Sequence, residues 1–285
     1  MRIMHNSAQA VKDKLRNISK EKNVDFNSVM RFYMYDRFVE RLSKSEYKDN
    51  FILKGGFYLS ALFEINNRST MDIDMAIRQT EFTKENLVKM IDDIINIDIN
   101  DNVKFKVEKI EPIRDEDEYG GLRIVVVFML ENIKDKFHID LATGDPIFPG
   151  PIDYSYKSLI DNEVYYILSY SLETVLAEKI ETILSKLETS SRMKDYYDIY
   201  LIYKFSFDQI NEEKLRKSVE KTFTKRKFKA DLITNLNIIK ESKILKDKWL
   251  RYTKKNNYAG NINFEEALEC LEKFIIKINL VVIWN

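Results

Sequence analysis

At 285 residues, 45% apolar and 12% aromatic, the chain carries enough hydrophobic side chains for one large core or two ordinary ones, which excludes a disordered protein. Its 46 Lys and Arg balance 46 Asp and Glu, so no global field selects a nucleic acid or a membrane surface. The lone cysteine, Cys270, excludes an internal disulfide framework and a zinc–cysteine cluster, and its amphipathic helical setting predicts a buried thiol.

The N-terminus shows no signal-peptide pattern and no apolar run reaches membrane-spanning length, so a soluble cytoplasmic protein is expected. Residues 6–21 and 26–44 read as two helices, with Asn27 or Ser28 near the start of the second. Met30, Tyr33, Met34, Arg37, Phe38 and Leu42 recur at three-four spacing, and this stripe is read as core rather than cofactor surface. Phe51-Ile52-Leu53 ends an apolar run, Lys54-Gly55-Gly56 forms a turn, and Phe57 to Glu64 has helical spacing. A glycine turn at a helix N-terminus leaves backbone N–H groups for an anion and lets the backbone approach a phosphate.

Met71, Ile73, Met75 and Ile77 then alternate with Asp72, Asp74 and Ala76, the pattern of a half-buried strand whose apolar set enters the core. Residues i and i+2 of a strand point to one side, roughly 7 Å apart. Two carboxylates placed so repel each other without a cation between them, and hard oxygen donors suit Mg²⁺ and a phosphate-bearing substrate.

Thr83 and the run from Asn86 to Ile95 predict a capped helix, and 103–110, 122–130 and 136–142 predict strands, with Gly120-Gly121 and Asn132 at the intervening turns. The last of these strands carries His138-Ile139-Asp140. Alone, Asp140 reads as an edge-strand solvent residue and His138 as a polar spacer. Beside the Asp72/Asp74 strand, Asp140 would complete a three-carboxylate site, accepting a proton from an attacking hydroxyl or tightening a second metal position.

The four prolines lie at 112, 146, 149 and 151, which makes Gly144 to Pro151 the main loop cluster. A strand is predicted at 163–168, and from Leu172 onward nearly everything reads as helix. The division expected is an α/β unit over 1–165 with two leading helices, and a helical unit over 166–285. The closing 280–284 is too short to span a membrane and is expected to pack on the body.

In the helical half, Ala177-Glu178-Lys179 and Arg192-Met193-Lys194-Asp195-Tyr196-Tyr197-Asp198 group charges, and Asp195 and Asp198 share a helix face. Lys179, Arg192 and Lys194 could supply charge to a triphosphate, or all could be solvated helix charges. Residues 92–118 lean acidic and 214–255 lean basic. The basic stretch holds Lys214, Arg216, Lys217, Lys221, Lys225, Arg226, Lys227 and Lys229 with Phe223 and Phe228 interleaved, then Lys246, Lys248, Trp249, Arg251, Tyr252, Lys254, Lys255 and Tyr258. Basic side chains neutralise phosphates and aromatic rings stack on unpaired bases, which favours an RNA partner.

The order Phe51-Ile52-Leu53-Lys54-Gly55-Gly56, Arg68-Ser69-Thr70-Met71-Asp72-Ile73-Asp74, His138-Ile139-Asp140, Ala177-Glu178-Lys179 and Arg192 to Tyr200 resembles the AbiEii/AbiGii toxin family, nucleotidyltransferase-like toxins of type IV toxin–antitoxin, abortive-infection systems. The resemblance runs from about residue 28 to 205. It implies an α+β fold: a DNA polymerase β-like nucleotidyltransferase core, a mixed sheet flanked by helices, followed by a helical C-terminal domain. It implies that Lys54, Gly55, Gly56, Thr70, Arg192 and Lys194 bind the nucleotide, and that Asp72 and Asp74 ligate Mg²⁺, or Mn²⁺ in its place. Asp140 is the third metal position, Lys179 contacts the phosphates and Asp195 is the essential acid of the last motif. It further implies an NTP donor, an RNA acceptor such as the tRNA 3′ end, and a cognate antitoxin. The rivals are nucleotidylation of a protein side chain and a non-catalytic NTP-binding module.

Overall fold

The computed structural model describes residues 7–64, 68, 70–113, 121–158, 161, 163–229 and 231–279. The chain divides into two compact units, 1–144 with 152–169, and 145–151 with 170–285. The proline-bearing segment 145–151 thus groups with the helices although two further strands follow it.

The first unit opens with helices α1 (Ala8–Lys22) and α2 (Phe26–Lys44). Asp25, rather than Asn27 or Ser28, caps α2, its carboxylate accepting from the Ser28 backbone N–H. A seven-stranded mixed sheet follows: β1 (Phe51–Lys54), β2 (Asp72–Ile77), β3 (Val103–Ile113), β4 (Gly121–Leu130), β5 (Ile133–Ala142), β6 (Ile152–Lys157) and β7 (Val164–Ser169), in the order β3-β4-β5-β2-β1-β7-β6. Helices α3 (Gly55–Phe63) and α4 (Lys84–Ile95) connect β1 to β2 and β2 to β3, and Thr83 caps α4 as its sequence predicts.

The strand pairing decides the site. β2 lies between β1, antiparallel to it, and β5, parallel to it, and β4 flanks β5 on the far side. β5 is therefore an interior strand, which removes the edge-strand reading of Asp140. The strand β6 lies where the sequence reading placed no element. Its signal is the period-two set Ile152, Tyr154, Tyr156, of which only Tyr156 is fully enclosed. Met71 stands outside β2 and is 61% exposed, so the apolar set entering the core starts at Ile73. Gly120, the acidic residues 116–118 and the closing segment 280–284 lie outside the described residues.

Helix α2 is buried from Ser28 to Leu42 apart from Arg31, beyond the single stripe its spacing suggests. Tyr35, Phe57, Phe105 and Phe137 meet edge-on beneath it, with the rings of Tyr35 and Phe57 5.0 Å apart. Asp36, Arg37, Glu40 and Arg41 are enclosed with partners. Arg37 pairs with Glu40 and Asp161, Arg41 forks onto Asp101, and Asp36 accepts from Ser158 Oγ at 2.7 Å and from Tyr156. Burial pushes the Asp36 carboxyl up to about 6, against the pull of Arg37 and the two hydroxyl donors.

The second unit is helical: α5 (Leu172–Lys186), α6 (Met193–Ser206), α7 (Glu212–Lys225), α8 (Leu232–Glu241), α9 (Lys243–Lys255) and α10 (Phe264–Lys277). Cys270 is buried on α10 as its setting predicts, and burial pushes its thiol up to about 11. Among the described residues no helix is long and apolar enough to cross a membrane.

Candidate active site

Two clusters of predicted site residues form, one in each unit. In the sheet unit, Asp72 and Asp74 are both half-buried on one face of β2, while Ile73 and Met75 are fully enclosed on the other. The register puts Lys54 and Asp140 on either side of Asp74, and His138 beside Asp72.

Gly55 and Gly56 are fixed by Asp74. Gly55 has φ +63°, and a Cβ there would lie 2.4 Å from Asp74 Oδ2. Left-handed backbone and close approach both demand glycine. The Gly56 N–H, at the start of α3, donates to Asp74 Oδ2 at 3.1 Å. The turn expected to cradle a phosphate thus spends this amide on the second carboxylate, with the positive end of α3 behind it. A Cβ on Gly56 would lie 3.0 Å from both Thr70 Oγ1 and Arg68 Nη2, so Thr70 and the buried Arg68 close against the same turn.

Asp72 Oδ1 lies 2.9 Å from His138 Nδ1, so His138 is a partner of the site rather than a spacer. Asp140 is held by a residue the sequence reading passed over. Arg123 donates from Nε and Nη2 to its two oxygens, each at 2.7 Å, and Nη2 also lies 3.6 Å from Asp72 Oδ2. Hydrogen bonding to Asp140 and the charges of Asp140, Asp72 and Asp74 hold the guanidinium more firmly protonated, against its partial burial. A signal existed: Arg123 is the only charged residue in the apolar run of β4.

The donor set fits a hard divalent cation. Asp72 and Asp74 offer carboxylate oxygens on a shared, solvent-reached face, and Mg²⁺ commonly takes one or two carboxylates, completing its shell with phosphate and water. Asp140 sits next to Asp74 as anticipated, but both its oxygens are on Arg123. Among the described residues, no group of three or more His, Cys, Asp or Glu side chains is arranged to hold a metal.

In the helical unit, Lys179 on α5 meets α6. Its Nζ donates to Asp195 Oδ1 at 2.8 Å and to Asp198 Oδ2 at 2.6 Å, and Arg192 Nε donates to Asp195 Oδ2 at 2.7 Å. Asp195 and Asp198 are fully buried and Lys179 nearly so, which overturns the solvated-charge reading for these three. Burial alone would raise the Asp195 carboxyl. Lys179 and Arg192 outweigh it and hold the group well below the usual carboxylate range. Burial likewise opposes the Lys179 charge, and the two aspartates override it and push the ammonium up. Arg192 is half-exposed and Lys194 exposed.

The basic stretch is reordered by packing. Phe223 and Phe228 are buried with ring centres 4.3 Å apart, and Trp249 is buried with its indole N–H on the Ile262 carbonyl, so none of the three can stack on a base. Arg226 leaves the surface to bind Glu181 at 2.7 Å and Asp145 at 3.2 Å, clamping the 145–151 segment to α5 and the end of α7. What remains exposed on and after α7 is Lys214, Arg216, Lys221, Lys225, Lys227 and Lys229, with Lys217 half-exposed. Phe148, from the clamped segment, lies beneath two of these cations: Lys217 and Lys221 Nζ are 5.9 and 5.5 Å from its ring centre.

A mixed sheet carrying a glycine turn bonded to the second carboxylate of an Asp-x-Asp strand, followed by a helical unit, is a nucleotidyltransferase-like architecture. Solved structures share the overall fold, among them the following two. JHP933 from Helicobacter pylori aligns over 90% of this chain and 94% of its own, at 14% identity and TM-score 0.53. MenT4, a nucleotidyltransferase toxin from Mycobacterium tuberculosis H37Rv, aligns over 94% of this chain and 98% of its own, at 11% identity and TM-score 0.52. Comparison with curated proteins returns no match. Residues 37–270 match the family described as nucleotidyl transferase AbiEii toxin of type IV toxin–antitoxin systems, and the chain belongs to that family. It is accordingly a nucleotidyltransferase of the toxin type, and a cognate antitoxin is implied.

Proposed function

We propose that the protein transfers a nucleoside monophosphate from an NTP to an RNA hydroxyl, with the tRNA 3′ end as acceptor, and that it blocks translation in the cytoplasm until its antitoxin intervenes. The observation that carries this reading is the shared face of Asp72 and Asp74, with Asp74 seated on the Gly55-Gly56 turn. The acceptor hydroxyl forms the new bond to the α-phosphorus as the α–β bridging bond breaks and pyrophosphate leaves. Mg²⁺, when bound, neutralises charge developing on the phosphate oxygens.

Asp72 and Asp74 hold the cation, and His138 fixes one oxygen of Asp72. Lys54, Gly55, Gly56 and Thr70 bound the triphosphate loop. Two of the three N–H donors of Lys179 go to Asp195 and Asp198, so these aspartates fix the ammonium to which the phosphate-contacting role is assigned. Arg192 and Lys194 add exposed positive charge. The RNA acceptor is supported by the exposed lysines of α7 around Phe148, a basic surface with one aromatic ring in a chain of zero net charge.

The test is incubation of the purified protein with total tRNA, Mg²⁺ and each labelled NTP in turn, beside Asp72→Ala. Label entering tRNA from the parent and absent with the variant is the expected outcome. Label appearing in protein in RNA-free conditions would replace RNA as the acceptor, and equal labelling by Asp72→Ala would sink the metal-site assignment.

A further inference from the structure

The sheet site contains a cation of its own. Arg123 and Asp140 are cross-strand partners on β4 and β5, His138 and Asp72 are partners on β5 and β2, and Asp140 is the partner of Asp74. Three strands therefore bring Asp72, Asp74 and Asp140 together, with Arg123 forked onto Asp140 and within ion-pair distance of Asp72, His138 on Asp72 and the Gly56 N–H on Asp74. Arg123 does more than pair with its neighbour: the Nη2 that binds Asp140 at 2.7 Å reaches Asp72 Oδ2 at 3.6 Å. Its side chain is 35% exposed, so it is neither a core clamp like Arg37 nor a solvated surface charge.

We propose that Arg123 is a built-in counter-ion of the carboxylate cluster, a positioning residue that competes with a divalent cation for Asp72 and so sets how tightly the site takes metal. The proposal rests on the metal-site reading of Asp72 and Asp74. The physical reason is direct. An isolated carboxylate cluster repels itself, and a guanidinium fork spanning Asp140 and Asp72 relieves the repulsion. A cation arriving at Asp72 meets a positive charge 3.6 Å from the oxygen it would ligate. Arg123 must yield its hold on Asp72 and can keep its two bonds to Asp140, so Asp140 remains with the arginine rather than joining the metal.

The test measures metal binding without nucleotide or turnover. The full chain is titrated with Mn²⁺, free Mn²⁺ being read by electron paramagnetic resonance, for the parent, Arg123→Gln, Arg123→Lys and Asp72→Ala. Removing one positive charge beside the ligand oxygen should tighten Mn²⁺ binding on the order of five- to tenfold in Arg123→Gln, the scale of a single short-range charge interaction at a wetted site. Arg123→Lys keeps the charge but not the fork, so its Mn²⁺ affinity should fall between those of the parent and Arg123→Gln. Metal-free Arg123→Gln should also melt below the parent, and saturating Mn²⁺ should close most of that gap, because the metal replaces the lost cation. Arg123→Gln binding Mn²⁺ no tighter than the parent, or Arg123→Lys tightening as much as Arg123→Gln, overturns the counter-ion role. A parent that binds no Mn²⁺, or an Asp72→Ala variant that binds it as the parent does, overturns the underlying metal-site reading instead.

Discussion

The two clusters of charged site residues use the same side chains in opposite ways. In the sheet unit, Asp72 and Asp74 stay half-exposed, and the protein spends a glycine turn, His138 and Arg123 on orienting their neighbourhood without sealing it. In the helical unit, Asp195 and Asp198 are fully enclosed and neutralised by Lys179 and Arg192. Carboxylates that are to meet a cation must remain reachable by water and substrate. Carboxylates that hold a lysine in place can be buried, because the lysine compensates them. Removing one member should cost little stability in the first arrangement and a great deal in the second, where a buried charge loses its partner, so substitutions separate them.

The largest effect on activity is expected at the sheet. Asp72→Ala should lower turnover by about 10³-fold or more, the scale of losing several kcal/mol of transition-state charge stabilisation, with a melting temperature near that of the parent. Labelling kinetics and a thermal melt on the same preparation check both halves. A large loss of stability would break the contrast.

Lys179→Met should do the reverse in the melt. It removes the cation that Asp195 and Asp198 share, leaving Arg192 as the remaining guanidinium on the fully buried Asp195, which should cost about 3–5 kcal/mol and depress activity as well. Chemical denaturation read as a shift in midpoint at constant slope measures it.

Gly55→Ala joins the two behaviours. The left-handed backbone and the 2.4 Å approach to Asp74 Oδ2 predict a cost of about 1–3 kcal/mol. Displacing Asp74 by about 1 Å should reduce turnover on the order of 10²-fold. Full activity in a destabilised Gly55→Ala protein would show that the turn serves the fold alone.

The last effect concerns pH and sharpens what burial does where it outweighs the pull of a neighbouring cation. Asp195 is held below its unfolded value, so its stabilisation is present above about pH 4 and fades only as the medium becomes more acidic. Asp36 has the opposite sign. Its folded value, about 6, lies above the unfolded one, so its favourable contribution is complete below about pH 4 and lost as pH rises through 6. Asp36→Asn should therefore stabilise the protein by roughly 2–3 kcal/mol at pH 7.5 and by well under about 1 kcal/mol at pH 4, measured as denaturation midpoints at the two values. A pH-independent difference would remove Asp36 as the source.

Much of the frame was legible because it rests on local rules. Alternation announced β2, the Lys54-Gly55-Gly56 turn announced the start of α3, and Thr83 announced α4. Legibility failed where a residue's role depends on a distant partner. Tyr154 and Tyr156 alternate with polar residues in a short strand beside prolines, and only pairing with β7 makes β6 a strand. Phe223, Phe228 and Trp249 looked like stacking rings among lysines, yet the same helical spacing serves a buried face. Arg123 went unnoticed because nothing nearby in the chain is its partner.

By itself the sequence determined that Asp72 and Asp74 share one strand face, that Gly55 and Gly56 open a helix just before them, and that Asp195 and Asp198 lie one helical turn apart. These follow from periods of two and 3.6 residues, which need no knowledge of the rest of the chain. Only the tertiary structure decided that Asp140 stands beside Asp74, that Arg123 holds it and reaches Asp72, and that Lys179 is enclosed by Asp195 and Asp198. Those relations join residues 16 to 66 positions apart through strand register and helix packing, and no local period encodes them.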